Sequence, residues 1–286
     1  MKLPRYTIDN LHEKFPDDNA CLDFMFAQQY GSVAACSKCG VVNPRYYRVR
    51  GRKCYECNDC GYQLSPLANT IFHKSDTPLK KWFFAMYMFS VSRNGVSAKE
   101  LERTLGVTYK TAWRMAKQIR LLMAQEAEKL VGKVEVDETY IGGKHRRRYG
   151  IERKQIVFGM VERQGRVKAS VVKSSGTRVL LPQITENIAL GTEIHSDEYR
   201  PYSNVTKHGY SHTTVNHSKL EYVRGVAHTN TIEGFWSQLK RSIDGTYHAV
   251  SPKYLPSYLN EFVFRYNVRQ SAVFLHLLAK ACSRVQ

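Results

Sequence analysis

Five of the chain's seven cysteines fall between Cys36 and Cys60. Cys36-Ser-Lys-Cys39-Gly and Cys57-Asn-Asp-Cys60-Gly are two Cys-x-x-Cys knuckles separated by 17 residues, the spacing of a four-thiolate tetrahedral zinc site. Each knuckle ends in glycine, which lets the backbone turn back so that both sulfurs address one ion. Cys54-x-x-Cys57 is an equally good pair on spacing alone; Cys57 and Cys60 are preferred because only they carry the following glycine. Four sulfurs leave no open coordination position, so this zinc is expected to be structural. Arg45, Arg48, Arg50, Arg52 and Lys53 interleave with Tyr46, Tyr47 and Tyr55, a mixture suited to phosphate contact with aromatic packing.

A second constellation is acidic. Phosphoryl transfer on a nucleic acid needs charge neutralised on the attacking and leaving oxygens, and two divalent ions held by a few carboxylates accomplish it. Hard oxygen ligands suit Mg²⁺. Asp137 lies inside the strand-like run Val134-Glu-Val-Asp-Glu-Thr-Tyr-Ile, where an unpaired charge is costly and so needs a reason. Asp197 ends the strand-like Thr192-Glu-Ile-His-Ser-Asp. In His228-Thr-Asn-Thr-Ile-Glu-Gly-Phe-Trp-Ser-Gln-Leu-Lys-Arg, Ile232, Phe235, Trp236, Leu239 and Ile243 make an apolar helical stripe. At about 100° per residue, Asn230, Glu233, Ser237 and Lys240 share another face. A surface helix with a polar stripe explains that segment equally well taken alone.

The elements that must position these groups are set in a strongly basic chain. Lysine and arginine total 43 against 25 acidic residues, a formal charge of +18 over 286 residues, which makes a polyanion the expected partner. The length allows one sizeable core with one or two smaller modules. Residues 1 to about 30 read as a helical lead-in with Leu22, Phe24, Met25 and Phe26 available for packing. Pro78 opens a helix through Ser92, broken by Arg93-Asn94-Gly95. Ser97 with Glu100 forms a capping box for a short helix ending near Gly106, and Thr108 caps a longer one running towards Leu130. Two helices joined by a glycine-containing turn make a helix-turn-helix candidate. In the second, Ala112, Met115, Ile119 and Leu122 face inward, leaving Tyr109, Lys110, Arg114, Lys117 and Gln118 outward to reach phosphates and base edges.

After Gly132 the pattern becomes α/β: strands at Gln155–Val161, Val167–Val172, Glu193–Asp197 and Thr213–Val215, with helices at Thr177–Ile188, His228–Ile243 and Tyr254–Arg269. The apolar stretch Trp82–Val91 is too short to cross a bilayer, and no secretory signal pattern opens the chain, so a cytoplasmic protein without a membrane partner is expected.

With these residues in hand, the chain resembles bacterial insertion-sequence transposases of the DDE class that carry an N-terminal zinc ribbon, the ISXO-like group. The resemblance rests on the two knuckles, Thr70-Ile-Phe, Leu79-Lys-Lys-Trp-Phe, Val136-Asp-Glu-Thr-Tyr-Ile-Gly-Gly-Lys and Asp197-Glu-x-x-x-Tyr202. It continues through His228-Thr-Asn-Thr-Ile-Glu-Gly-Phe-Trp-Ser-x-Leu-Lys-Arg, Gly245-Thr-Tyr-His and Glu261-x-x-x-Arg265-x-x-x-Arg269. It implies an α/β fold: a helical lead-in (1–30), a zinc ribbon (31–75), a helix-turn-helix region (76–131) and a ribonuclease-H-like catalytic core (132–286). It further implies Mg²⁺ or Mn²⁺ on Asp137, Asp197 and a third ligand, with cleavage at transposon ends and attack of a 3′-hydroxyl on target DNA. For the third position Asn230 and Glu233 both qualify. Glu233 is favoured because Lys240 follows it by seven positions and Asp197 precedes it by 36. Arg146, Arg147 and Arg148 read as DNA-backbone groups, and Glu261, Arg265 and Arg269 as one helical face that braces the site or contacts phosphates. The expected setting is the bacterial nucleoid, as a homo-oligomer bringing two DNA ends together. A non-catalytic zinc-ribbon regulator is the alternative.

Overall fold

The computed structural model describes residues 6–142, 154–215 and 228–283. The chain forms two compact units, each discontinuous in sequence. One comprises Met1–Ser92, Ala98–Leu122 and Gln270–Gln286; the other comprises Arg93–Ser97 and Met123–Arg269.

The first unit opens with α1 (Ile8–Lys14), which Thr7 and Asn10 start as a reciprocal capping box, and α2 (Asp18–Tyr30), capped by the Asp17 carboxylate on the Ala20 amide. A small antiparallel sheet follows, β1 (Tyr46–Arg48), β2 (Tyr55–Cys57) and β3 (Gln63–Leu64), in that order. Tyr55 ties this sheet to α2: its ring stacks on Phe26 at 3.9 Å and its hydroxyl donates to Asp23. Next come α3 (Leu79–Val91) after Pro78, α4 (Ala98–Leu105) and α5 (Tyr109–Leu121). Gly106, at φ 58, takes the left-handed turn between α4 and α5, and Thr108 caps α5 on the Thr111 amide. Ala112, Met115 and Ile119 are buried as their spacing requires.

Two features of this unit depart from expectation. The helix from Thr108 stops at Leu121 and does not run towards Leu130. Beyond it, the Gln125 side chain donates to the Ala169 carbonyl at 2.6 Å and accepts from the Ala169 amide at 3.1 Å, so the chain is drawn out along a strand edge instead of continuing to wind. A further helix, α9 (Val273–Cys282), was not anticipated. It returns to the first unit, with Phe274 in edge contact with Phe15 and Tyr87, and Leu277 and Leu278 buried.

The second unit is built on a five-stranded sheet. Its strands are β4 (Lys133–Ile141), β5 (Gln155–Glu162), β6 (Val167–Val172), β7 (Glu193–Asp197) and β8 (Ser211–Val215), in the order β6-β5-β4-β7-β8. β5 runs antiparallel to both of its neighbours, β4 and β6, whereas β7 runs parallel to β4 and β8 parallel to β7. Alternation along the strands divides two cores. Val134, Val136, Phe158, Met160 and Ile194 face α6 (Thr177–Asn187) and the 3₁₀ segment Arg200–His208. Ile141, Val157, Val161 and Val167 face α7 (Asn230–Ser242) and α8 (Leu255–Asn267). Because both faces are covered, the alternating polar residues of β4 are enclosed as well: Glu135 is fully buried and Asp137 partly so. Among the described residues no helix is long and apolar enough to cross a membrane.

Candidate functional site

The four expected zinc ligands converge. Sγ atoms of Cys36, Cys39, Cys57 and Cys60 all lie within 4.8 Å of one another. The knuckles are built alike: the Gly40 amide donates to the Cys36 carbonyl at 2.9 Å and the Gly61 amide to the Cys57 carbonyl at 3.0 Å, with both glycines at left-handed φ near 70°. Backbone N–H groups of Cys39 and Lys38 aimed at the Cys36 sulfur lower its pKa, whereas that of Cys60 is raised, against the pull of the Tyr62 backbone, by burial and the neighbouring sulfurs, so these thiols do not ionise independently. Cys54 stands outside the cluster, its sulfur 3.7 Å from the Gln63 side-chain oxygen.

The acidic cleft belongs to the second unit. Its volume is about 530 Å³, and among the described residues it is lined by Asp137, Glu138, Thr139, Asp197, Thr229, Glu233, Trp236, Ser237 and Lys240. Register explains the meeting of the two aspartates. Paired residues Lys133↔Glu193, Val134↔Ile194 and Glu135↔His195 place β4 and β7 in parallel, and the same offset carried two residues further sets Asp137 beside Asp197. Neighbouring strands lie about 4.8 Å apart. The paired ladder ends at Glu135, two residues before Asp137.

Each acid is oriented by a neighbour. Trp236 Nε1–H donates to Asp137 Oδ2 at 2.9 Å. The indole reaches that position because it lies over Gly159, the cross-strand partner of Asp137; a Cβ there would stand 2.5 Å from the Trp236 ring. Buried Tyr202 donates its hydroxyl to Glu138, Thr229 Oγ1 donates to Glu233 Oε1 at 2.8 Å, and the Tyr199 amide donates to Asp197 Oδ1 at 3.0 Å. Burial, then the charges of Glu138 and Asp197, push the Asp137 carboxyl up to about 7, opposed by the Trp236 hydrogen bond. Burial raises Glu138 too, against the pull of Tyr202.

Two testable consequences arise here. Gly159→Ala should force the Trp236 ring away from Asp137 and destabilise the second unit by about 1–3 kcal/mol, read as a lowered Tm with altered tryptophan emission. In chelator, the raised Asp137 pKa stabilises the fold fully below about 3.8, and that contribution is lost as pH rises through about 7. Denaturant titrations should therefore show wild-type stability falling over this window relative to Asp137→Asn; equal slopes for the two proteins would contradict the assigned environment.

The remaining residues distribute unevenly. Asn230, the first residue of α7, is exposed and outside the cleft lining, whereas Glu233, Ser237 and Lys240 line it. Lys110, Arg114 and Lys117 are exposed along α5, with Arg114 also donating to the His73 carbonyl at 3.4 Å. Arg265 is turned inward on the buried Glu261 carboxylate at 2.8 Å, which suits bracing and not phosphate contact. Arg269 lies over the Tyr266 ring at 4.0 Å. Arg146, Arg147 and Arg148 lie outside the described residues.

Sequence reasoning missed Glu138, Tyr202 and the polar duty of Trp236, which periodicity assigns only to the apolar stripe. The signal was present in the adjacent acids Asp137-Glu138 and in the Tyr202 that closes Asp197-Glu-x-x-x-Tyr. Among the described residues only the four cysteines bring three or more ligand atoms within 4.8 Å of one another; the cleft's acids surround a wider space.

Two stretches of the chain match known family models. Residues 16–63 match the family model described as a transposase zinc-ribbon domain, and residues 129–267 match the ISXO2-like transposase domain. An uncharacterized protein in transposable element ISH50 of Halobacterium salinarum is 30% identical over 258 residues, covering 82% of this chain and 84% of that protein. An uncharacterized transposase-like protein of Haemophilus influenzae is 26% identical over 102 residues, 36% of this chain and 81% of its own length. Among solved structures, a chain of the simian T-cell lymphotropic virus intasome in complex with PP2A regulatory subunit B56 gamma is similar at 16% identity with a TM-score of 0.31, over 62% of this chain and 64% of that one. The chain belongs to the family of insertion-sequence transposases that carry a transposase zinc ribbon and an ISXO2-like transposase domain.

Proposed function

We propose that the chain binds the ends of an insertion sequence and cleaves and joins DNA strands with divalent metal at the acidic cleft. One observation carries this reading: a protein of formal charge +18 gathers four carboxylates and a single lysine, among the described residues, around one open cleft. A basic surface attracts DNA, and an acidic hole within it repels DNA unless cations fill it.

The donor set fits Mg²⁺ or Mn²⁺. Its side chains offer hard oxygens, and the raised Asp137 pKa marks negative charge that a bound cation relieves. Asp137, Asp197 and Glu233 would hold the ions, with Glu138 as an additional donor. Divalent ions at this place supply charge neutralisation on the attacking and leaving oxygens of a phosphodiester. Trp236 orients the Asp137 carboxylate through Oδ2, and Tyr202 fixes Glu138. Lys240, two turns along α7 from Glu233, offers a positive contact for the DNA backbone. The three antiparallel strands followed by two parallel ones, helix-covered on both faces, support a ribonuclease-H-like core. Exposed Lys110, Arg114 and Lys117 on α5 support a DNA-reading helix-turn-helix.

A labelled transposon-end duplex tests this reading. Incubation with Mg²⁺ should yield nicked ends and strand-transfer products, both abolished by chelator. Binding without either product would leave the regulator alternative, and hydrolysis without joining would indicate a structure-directed nuclease.

A further inference from the structure

Glu135 is fully buried and is not among the described residues that line the acidic cleft. Its carboxylate accepts from the Thr231 amide at 2.8 Å, the Ile232 amide at 3.1 Å and Thr231 Oγ1 at 2.8 Å, at the first turn of α7. Arg163 Nε donates to the same group at 2.8 Å, and His228 Nδ1 stands 3.1 Å from it. Arg163 also donates to the His228 carbonyl at 2.9 Å. One acid thus meets the positive end of a helix, the backbone amides that no helical carbonyl satisfies, and a guanidinium.

Position gives this cluster its meaning. Glu135 and Asp137 lie on the same face of β4, two residues apart. The first grips residues 231 and 232 and the second grips Trp236, so α7 is fastened to β4 at two points about one turn apart. Glu233 lies between those points in sequence. Two attachments restrain α7 against sliding or rolling along β4, and Glu233, which lines the same cleft as Asp137, is carried between them.

We infer that Glu135 is a positioning residue for the acidic cleft: paired with Arg163, it clamps the N-terminus of α7 so that Glu233 and Asp137 address the same metal ions. This rests on the metal-dependent reading proposed above. A merely structural acid would be needed for stability alone, whereas a clamp sets metal affinity without touching metal.

The test is Mn²⁺ binding to the full-length protein, followed by electron paramagnetic resonance and independent of turnover. Asp137→Asn should abolish cleft binding; if it leaves Mn²⁺ affinity unchanged, the metal reading itself fails. Given that loss, Glu135→Gln should weaken Mn²⁺ binding by about 10- to 100-fold, the range found when groups that orient ligands are removed. Thr231→Val, which deletes one donor to Glu135, should weaken it in the same direction, and Thr231→Ser should restore the wild-type value. If Glu135→Gln fails to fold, the Thr231 pair decides alone. Unchanged Mn²⁺ affinity in folded Glu135→Gln, or in Thr231→Val, even with lowered Tm, would overturn the clamp while leaving the metal reading intact.

Discussion

Asp137→Asn and Asp197→Asn should each lower end cleavage by about 10³-fold while leaving binding to the transposon end unchanged. A metal's electrostatic contribution to phosphoryl transfer amounts to several kcal/mol, and each 1.36 kcal/mol lost is a factor of about ten in rate. Asparagine keeps the volume of aspartate and retains an oxygen that can accept from Trp236 Nε1, so the packing over Gly159 survives. The substitution also removes a carboxyl whose ionisation is opposed by burial, so Asp137→Asn should be at least as stable as wild type in chelator at pH 8. Rate and stability then move in opposite directions, which a simple folding defect cannot produce. Measured by single-turnover cleavage of a labelled end, activity within tenfold of wild type in either variant would remove the site.

Stripping zinc, or replacing Cys39 or Cys57 with serine, should unfold the ribbon. Sheet β1-β2-β3 has only three, three and two residues per strand, too little to bury a core of its own. Tyr55 and Tyr46 on Phe26 anchor it to α2, and structural zinc sites supply about 10–16 kcal/mol of apparent binding free energy that is folding free energy. Limited proteolysis should expose residues 31–75 in the metal-free protein, with loss of end binding. Cys54→Ser should retain full zinc content, since its sulfur faces Gln63. A metal-free protein resisting protease as well as the loaded one would contradict a structural role.

The parts of this architecture that local chemistry dictates were legible from residues alone. Cysteine spacing located the ribbon because two sulfurs on one tight turn can share an ion, Asp137 showed because a carboxylate lies inside a strand-like run, and Asp197 showed because it ends one. The stop at Leu121 was not legible: Ala124 to Lys129 favours helix, and what overrides it is the Gln125 amide on a strand more than forty residues away. α9 was equally hidden, since an apolar segment announces burial without naming the surface that covers it. Glu135 alternates in sequence with Val134 and Val136 as a half-exposed strand would, and only the coverage of both sheet faces makes it an enclosed charge.

The return of α9 to the amino-terminal unit has a consequence for synthesis. Phe15, Leu22 and Phe83 are made early but cannot complete their shared interior until Phe274 and Leu278 leave the ribosome. At about 5–20 residues per second, that interval is on the order of 10–40 seconds. During it the early helices lack one side of their shared interior, so a product terminated before α9 would leave Phe15 and Phe83 incompletely covered even though every described residue of the acidic cleft had been translated.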